Sequence, residues 1–220
     1  MLEGGFMYIS RVEIDRNDRQ KIKDLTHLGA YHSWVEDSFD EIGEIRSRKL
    51  WRIDTIEGKE YLIIVSQEKP ILEKLEKYGV PTTGQIKDYR KFLDALEEGK
   101  TYIFRTSLNP CKSISQGRTV TGVRGRVVPC LAVEDQMNYL LDRTEKNGFS
   151  IDIENGVKIV ERRNDILKKK GEKSIRLVKA TYEGLLTITD LDKFKNLLKS
   201  GLGKKKAYGF GLFTVVPYAK

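Results

Sequence analysis

Residues 50–65 read LWRIDTIEGKEYLIIV. Two apolar-rich runs, Leu50 to Ile56 and Tyr61 to Val65, flank Glu57-Gly58-Lys59-Glu60, the pattern of a β-hairpin. Upstream, Met7 to Ile14 alternates apolar and polar residues as a half-buried strand does. Between them a helix is expected, capped by Asn17 or Asp18 and running to about Phe39. Downstream, Ile71, Leu72, Leu75 and Tyr78 have helical spacing within Pro70 to Tyr78, and Gln85 to Arg90 reads as a weak strand. The order βαββαβ is that of the ferredoxin-like unit.

The second half repeats the order. Thr101 to Ser107 reads as a strand. Val133 to Lys146 reads as a helix, with Met137, Leu140 and Leu141 on one face and Asn147-Gly148 as its stop. Phe149 to Ile153 and Val157 to Arg163 read as strands around Asn155-Gly156, a hairpin turn signal. Ile175 to Thr187 is a further strand, Asp190 to Lys199 a short helix and Phe210 to Val216 the last strand. The expected fold class is therefore α+β, with tandem ferredoxin-like domains over residues 7–93 and 94–220 and an inter-domain cleft suited to an extended polymer. Residues 1–6 read as a leader ahead of a natural start at Met7.

Charge narrows the partner. The 220 residues carry a net charge of +8, divided unevenly. Residues 1–100 hold 17 Lys/Arg and 20 Asp/Glu, so the remainder holds 23 and 12. A basic C-terminal half implies a polyanion docked mainly there. Arg162, Arg163, Lys168, Lys169, Lys170, Lys173, Arg176 and Lys179 form one cluster; Lys199, Lys204, Lys205 and Lys206 form a second. No run approaches the roughly 20 apolar residues of a membrane helix, and no basic-then-apolar leader is present, so a cytoplasmic chain with no membrane partner is expected. Cys111 and Cys130 are too few for a disulfide framework or a four-cysteine zinc site, and only two histidines occur. Neither a metal nor another cofactor is expected.

Residues 201–212 read GLGKKKAYGFGL. A dinucleotide-binding loop runs from strand to helix, whereas this one runs from helix to strand, and it has no P-loop spacing. Glycine is the usual residue of such a tight turn. The lysines inside it add a phosphate-contacting role, with Gly201, Gly203, Gly209 and Gly211 allowing backbone N–H groups to approach the phosphates.

Glu183-Gly-Leu-Leu-Thr-Ile-Thr-Asp190, a short helix, then Gly-x-Gly-x-x-Lys-x-x-Gly-x-Gly-Leu resembles the C-terminal signature of the CasE (Cse-type) CRISPR repeat endoribonucleases. Met-Tyr-Ile-Ser-Arg-Val-Glu-Ile at 7–14 is similar to that family's opening strand. Phe104-Arg-Thr-Ser-Leu-Asn-Pro110 is similar to its second-domain opening, where Arg-Ala-Asn-Pro is more usual, and places Arg105 with the RNA-binding residues. The resemblance spans Met7 to Pro217. It implies two ferredoxin-like domains, binding of a CRISPR repeat RNA hairpin, cleavage at the 3′ base of its stem and residence among the subunits of the Cascade complex. It also implies that the basic stretch around Arg162 to Lys173 is a hairpin arm set against the repeat stem.

The first helix carries the catalytic expectation. Plotted at 100° per residue, Ile22, Leu25, Leu28, Val35 and Phe39 form an apolar arc with His32 in its middle, a core position. His27 falls on the far side, with Tyr31 one turn later, and the resemblance aligns His27 with the family's catalytic histidine. Without metal, RNA is cut by its own 2′-hydroxyl. That group must lose a proton while the 5′-oxygen gains one, and histidine can serve either step near neutral pH. Some family members have tyrosine three residues before the histidine; here Asp24 stands there and could hold His27 protonated. Tyr31 or a loop lysine could orient the phosphate. Two rival readings are a hairpin-binding subunit that does not cleave and an unrelated pair of ferredoxin-like RNA-binding domains. The latter lacks the aromatic strand motifs of an RRM.

Overall fold

The structure, a computed structural model, describes residues 6–40, 47–114, 125–152, 156–168 and 171–218. The first half contains β1 (Tyr8–Glu13), α1 (Arg19–Ile22), α2 (Leu28–Asp37), β2 (Leu50–Ile56), β3 (Lys59–Ser66), α3 (Leu72–Leu75), β4 (Gln85–Asp88) and α4 (Arg90–Asp94). Its four strands form one antiparallel sheet in the order β2-β3-β1-β4. The hairpin at its heart turns on two residues, Glu57 (φ 52°) and Gly58 (φ 78°), the double positive φ of a type I′ turn. Lys59 and Glu60 therefore belong to β3 rather than to the turn.

The second half contains β5 (Thr101–Leu108), β6 (Cys111–Ile114), β7 (Arg126–Pro129), α5 (Val133–Leu141), β8 (Phe149–Ser150), β9 (Val157–Leu167), β10 (Ile175–Ile188), α6 (Leu191–Ser200) and β11 (Phe213–Pro217). Its main sheet runs β11-β5-β10-β8, with β9 also paired to β10. β6 and β7 form a separate two-stranded ribbon. Most expected strands and α6 lie where the periodicity put them, with three corrections. β8 is only Phe149–Ser150 and pairs with β10, as β9 does, so the hairpin expected around Asn155-Gly156 does not form. The helix expected over Val133 to Lys146 ends at Leu141. Phe210 to Leu212 still belong to the loop before β11. The fold is mixed α/β with antiparallel sheets.

Burial ties the halves together. One apolar cluster joins Met7, Leu50 and Val65 to Phe104, Tyr182, Phe194 and Phe213. A second joins Val12, Trp34, Trp51 and Leu62 to Leu167, Leu177 and Phe210. Arg52 adds a polar tie: it pairs with Asp54 through two hydrogen bonds of 2.6–2.7 Å and donates to the carbonyls of Arg105 and Leu212 at 2.8 and 2.9 Å. No helix among the described residues is long and apolar enough to cross a membrane.

The first helix departs from expectation. It is two short helices with a break at residues 23–27. Asp18 caps α1 by accepting from the N–H groups of Gln20 and Lys21. His27 caps α2, its extended backbone (φ −156°, ψ 161°) lying outside the helix. A helical wheel drawn across that break assigns the wrong phase, so the expected core position of His32 is corrected below.

Candidate functional site

His27 is placed by the start of α2. Its Nδ1 accepts the N–H of Ala30 at 3.2 Å, satisfying one of the free donors of the first turn. A neutral ring in this arrangement carries its proton on Nε2, facing away from the helix. Gly29 makes the arrangement possible. A Cβ there would overlap the carbonyl oxygen of Lys168 at the end of β9 and lie 3.0 Å from His27 Nδ1. The helix start, the imidazole and the arm are thus packed at one point.

The ring stands between two concavities. The larger, of about 630 Å³, is lined by Asp24, His27, His32, Asp37, Lys168 and Tyr208 among others. The smaller, of about 180 Å³, is lined by His27, Arg16, Tyr31, Glu60, Arg163 and Asp165. Three cationic residues share these linings with the imidazole: Lys168 in the larger, and Arg16 and Arg163 in the smaller, each of those two already paired with carboxylates.

Tyr31 is buried and stacks on Trp51, ring centroids 6.0 Å apart at 27°. Its hydroxyl accepts from Arg16 Nη2 at 3.1 Å, and Arg16 is also paired with Glu60. Burial pushes the phenol's pKa up, against the opposing pull of Arg16, so the hydroxyl keeps its proton and can donate. Asp24 is exposed at the mouth of the larger cleft, and no hydrogen bond joins its carboxylate to His27; the expected partnership is absent. His32 is not a core residue. Its side chain is 30% exposed, lines the larger cleft and meets Tyr208 edge-on at 5.2 Å. Wheel reasoning also passed over Arg16, Glu60 and Tyr208, which come close only through tertiary packing.

The basic residues divide. Lys204 and Lys205 are exposed at the tip of the glycine-rich loop. Lys206 is half-buried and donates to the carbonyl of Ser200 at 2.8 Å. β9 and β10 pair as a long hairpin carrying the expected arm, while Lys169 and Lys170 lie outside the described residues. On the arm, Arg163 is exposed between Glu161 and Asp165, at 2.6 and 2.7 Å. Arg162 is tied inward to Gln136 Oε1 and the carbonyl of Leu131. Arg105, expected among the RNA-binding residues, is paired with Asp54 (3.1 Å) and Glu183 at the seam between the sheets. Gly201, Gly203, Gly209 and Gly211 all take left-handed φ values of 72–86°. All but Gly203 are buried, so they shape the turn rather than line its surface. No group of three or more His, Cys, Asp or Glu side chains comes together to hold a metal among the described residues.

The chain matches the family model described as CRISPR associated protein over residues 7–217. It is 25% identical to the CRISPR-associated endoribonuclease Cse3 of Thermus thermophilus, over 96% of this chain and all of that one. The structure of Thermus thermophilus Cse3 bound to an RNA representing a pre-cleavage complex superposes with a TM-score of 0.78 at 22% identity, covering 96% of this chain and 100% of that one. A chain of a CRISPR RNA-guided surveillance complex superposes with a TM-score of 0.65 at 20% identity, with the same coverage.

Proposed function

The chain belongs to the CRISPR-associated protein family, and from that premise we propose that it is a Cse-type endoribonuclease that binds the hairpin of CRISPR repeat RNA and cuts at the 3′ base of the stem. The observation that carries this reading is His27, an imidazole lining two adjacent concavities whose walls also hold Arg16, Arg163 and Lys168. Each half is read as a ferredoxin-like unit. The support is the strand order: with the β6-β7 ribbon and β9 set aside, β11-β5-β10-β8 in the second sheet has the same order by position as β4-β1-β3-β2 in the first. The boundary is drawn near residue 93, although both apolar clusters cross it.

The reaction is a transesterification. The 2′-oxygen bonds to phosphorus and the P–O5′ bond breaks. The 2′-hydroxyl proton leaves to a base and a proton arrives at O5′, giving a 2′,3′-cyclic phosphate and a 5′-hydroxyl. His27 faces the phosphate through Nε2 and serves the leaving oxygen. To do so it enters with a second proton on Nδ1, which replaces the cap bond from Ala30. The Tyr31 hydroxyl and the guanidinium of Arg163 stand on the side of the smaller concavity, where they steady the phosphate oxygens. Lys204 and Lys205 grip the RNA backbone further out. The partners are repeat RNA and other Cascade subunits, and the compartment is the cytoplasm, in keeping with two free, buried cysteines.

A labelled repeat hairpin tests the reading. Cleavage should proceed in EDTA, and a 2′-deoxy substitution at the cut site should abolish it while leaving binding intact. Cleavage that stops on chelation and returns with Mg²⁺ would overturn the mechanism. Binding without cleavage under any condition would favour the non-cleaving subunit instead.

A further inference from the structure

We propose that His32 is a second imidazole acting on the RNA in the same cleft as His27, as the proton acceptor for the 2′-hydroxyl; this rests on the endoribonuclease reading above. His32 lies on α2 one turn after the helix start and lines the 630 Å³ cleft into which His27 also opens. Its Nδ1 is enclosed and has no hydrogen-bond partner. An orphaned, buried ring nitrogen is costly, and the group facing this one is the Glu36 carboxylate at 3.8 Å. Glu36 is itself held at 3.2 Å by the ammonium of Lys49, which is buried over the Phe39 ring and also faces Glu68 at 3.8 Å. The outer edge of the imidazole meets Tyr208 of the glycine-rich loop, with Asp37 and Lys168 among the other charged groups of the cleft.

These neighbours give the two histidines opposite tautomers. His27 accepts at Nδ1 and therefore presents Nε2–H. His32 has the Glu36 carboxylate on its Nδ1 side, an arrangement that favours the proton on Nδ1 and leaves the Nε2 lone pair free to accept. Glu36 stands just beyond hydrogen-bond range, a separation of the kind that tightens when substrate binds. In the reaction His32 Nε2 takes the 2′-hydroxyl proton as the 2′-oxygen bonds to phosphorus. His27, entering protonated, gives its Nε2 proton to O5′ as that bond breaks. Both rings then reset by exchange with water, and no other reactant is consumed.

Single-turnover cleavage at saturating protein, measured from acid to alkaline pH, tests the assignment, with melting temperature and RNA affinity measured alongside. His32→Gln should lower the saturating rate by about 10²- to 10⁴-fold, leave affinity within about twofold and flatten one limb of the pH profile. Glu36→Gln should lower the rate in the same direction by less. Free imidazole should restore part of the rate to His32→Ala, a rescue that a packing role does not give. His32→Gln protein that keeps the wild-type rate and both limbs overturns the proposal, as does a loss confined to affinity or one that simply follows melting. If wild type holds the hairpin uncut, the endoribonuclease reading falls and this proposal with it. If wild type and His32→Gln cut equally, this proposal falls alone.

Discussion

The indole N–H of Trp51, on the edge strand β2, donates to the carbonyl of Ala207 in the glycine-rich loop at 2.9 Å. The same ring stacks on Tyr31, so one side chain couples the loop to the helix that carries both histidines. Gly209 completes the contact. It sits at φ 80°, and a Cβ there would lie 2.7 Å from the Trp51 ring. Gly209→Ala therefore adds steric overlap to the roughly 1–2 kcal/mol of left-handed backbone strain. The loop should shift with Tyr208, and the cleavage rate should fall by up to about 100-fold, the scale of an ångström-level misplacement. Gly99→Ala is the control: φ is 78° there, but nothing lies within 4 Å of the added Cβ. It should lower melting temperature alone. Equal kinetic losses in the two variants would mean that Trp51 does not position the loop.

His27→Ala should lower cleavage by about two to four orders of magnitude, the usual worth of a positioned acid or base. Affinity for a 2′-deoxy hairpin should barely move. The imidazole also caps α2, so the variant loses about 1 kcal/mol of stability as well. His27→Asn separates the two effects, because asparagine is a good cap but no proton donor of this kind. It should melt like wild type and still fail to cut. A His27→Asn protein with near-normal cleavage would remove His27 from the chemistry.

Much of the fold was legible because period-2 and period-3.6 patterns are local. The hairpin at 50–66, the long strand β10 and helix α6 all lie where the sequence put them, and in α6 the burial of Phe194, Leu197 and Leu198 follows the helical spacing. The break before α2 was not legible by that route. Its signal is a cap at His27, a residue uncommon as a cap, followed by Gly29, whose missing Cβ matters only because the arm's Lys168 carbonyl passes there. Within α2 alone, Leu28, Tyr31, Trp34 and Val35 are buried, and His32 flanks that stripe at the cleft edge. β6 and β7 escaped for another reason: Cys111–Ile114 and Arg126–Pro129 are four-residue strands with mostly exposed side chains, too short and too wet to carry a period. The commitment of Arg105 to carboxylates 51 and 78 residues away in sequence is a property of the folded pairing, invisible to any local reading.

The basic residues should not act alike in salt. Lys204 and Lys205 are exposed, so replacing both with Ala should weaken hairpin binding and reduce the slope of log K against log salt by roughly 0.7–0.9 for each phosphate left without its lysine. Lys206 is bonded to the Ser200 carbonyl and half-buried, and burial holds its pKa below the ordinary lysine value. Lys206→Ala should change the slope little and lower the melting temperature instead. A titration of binding against salt for both variants decides it. An unchanged slope in the double variant would place the RNA away from this loop.

Acid should unlock the seam between the sheets through Asp54. Burial raises the pKa of this carboxyl, but the hydrogen bonds and charge of Arg52, with Arg105 behind, outweigh it, and the net shift is downward. A depressed folded-state pKa contributes stability that is present above the unfolded value, near ~3.9. That stability is lost as pH falls through the folded value. Wild type should therefore keep this contribution at neutral pH and lose it below about pH 4. Asp54→Asn removes the charge at every pH. It leaves the buried Arg52 guanidinium facing a neutral amide that offers one oxygen where the carboxylate offered two, beside the carbonyls of Arg105 and Leu212 and the Thr214 hydroxyl. Breaking a buried pair from one side costs about 3–5 kcal/mol, and those surviving bonds favour the lower end. Denaturant unfolding of both proteins across acid pH checks the assignment. The two stabilities should differ most near neutrality and converge as pH drops. A gap that stays constant down through strongly acid pH would show that Asp54 is not the titrating tie, and that Arg52 holds the sheets together through its carbonyl bonds alone.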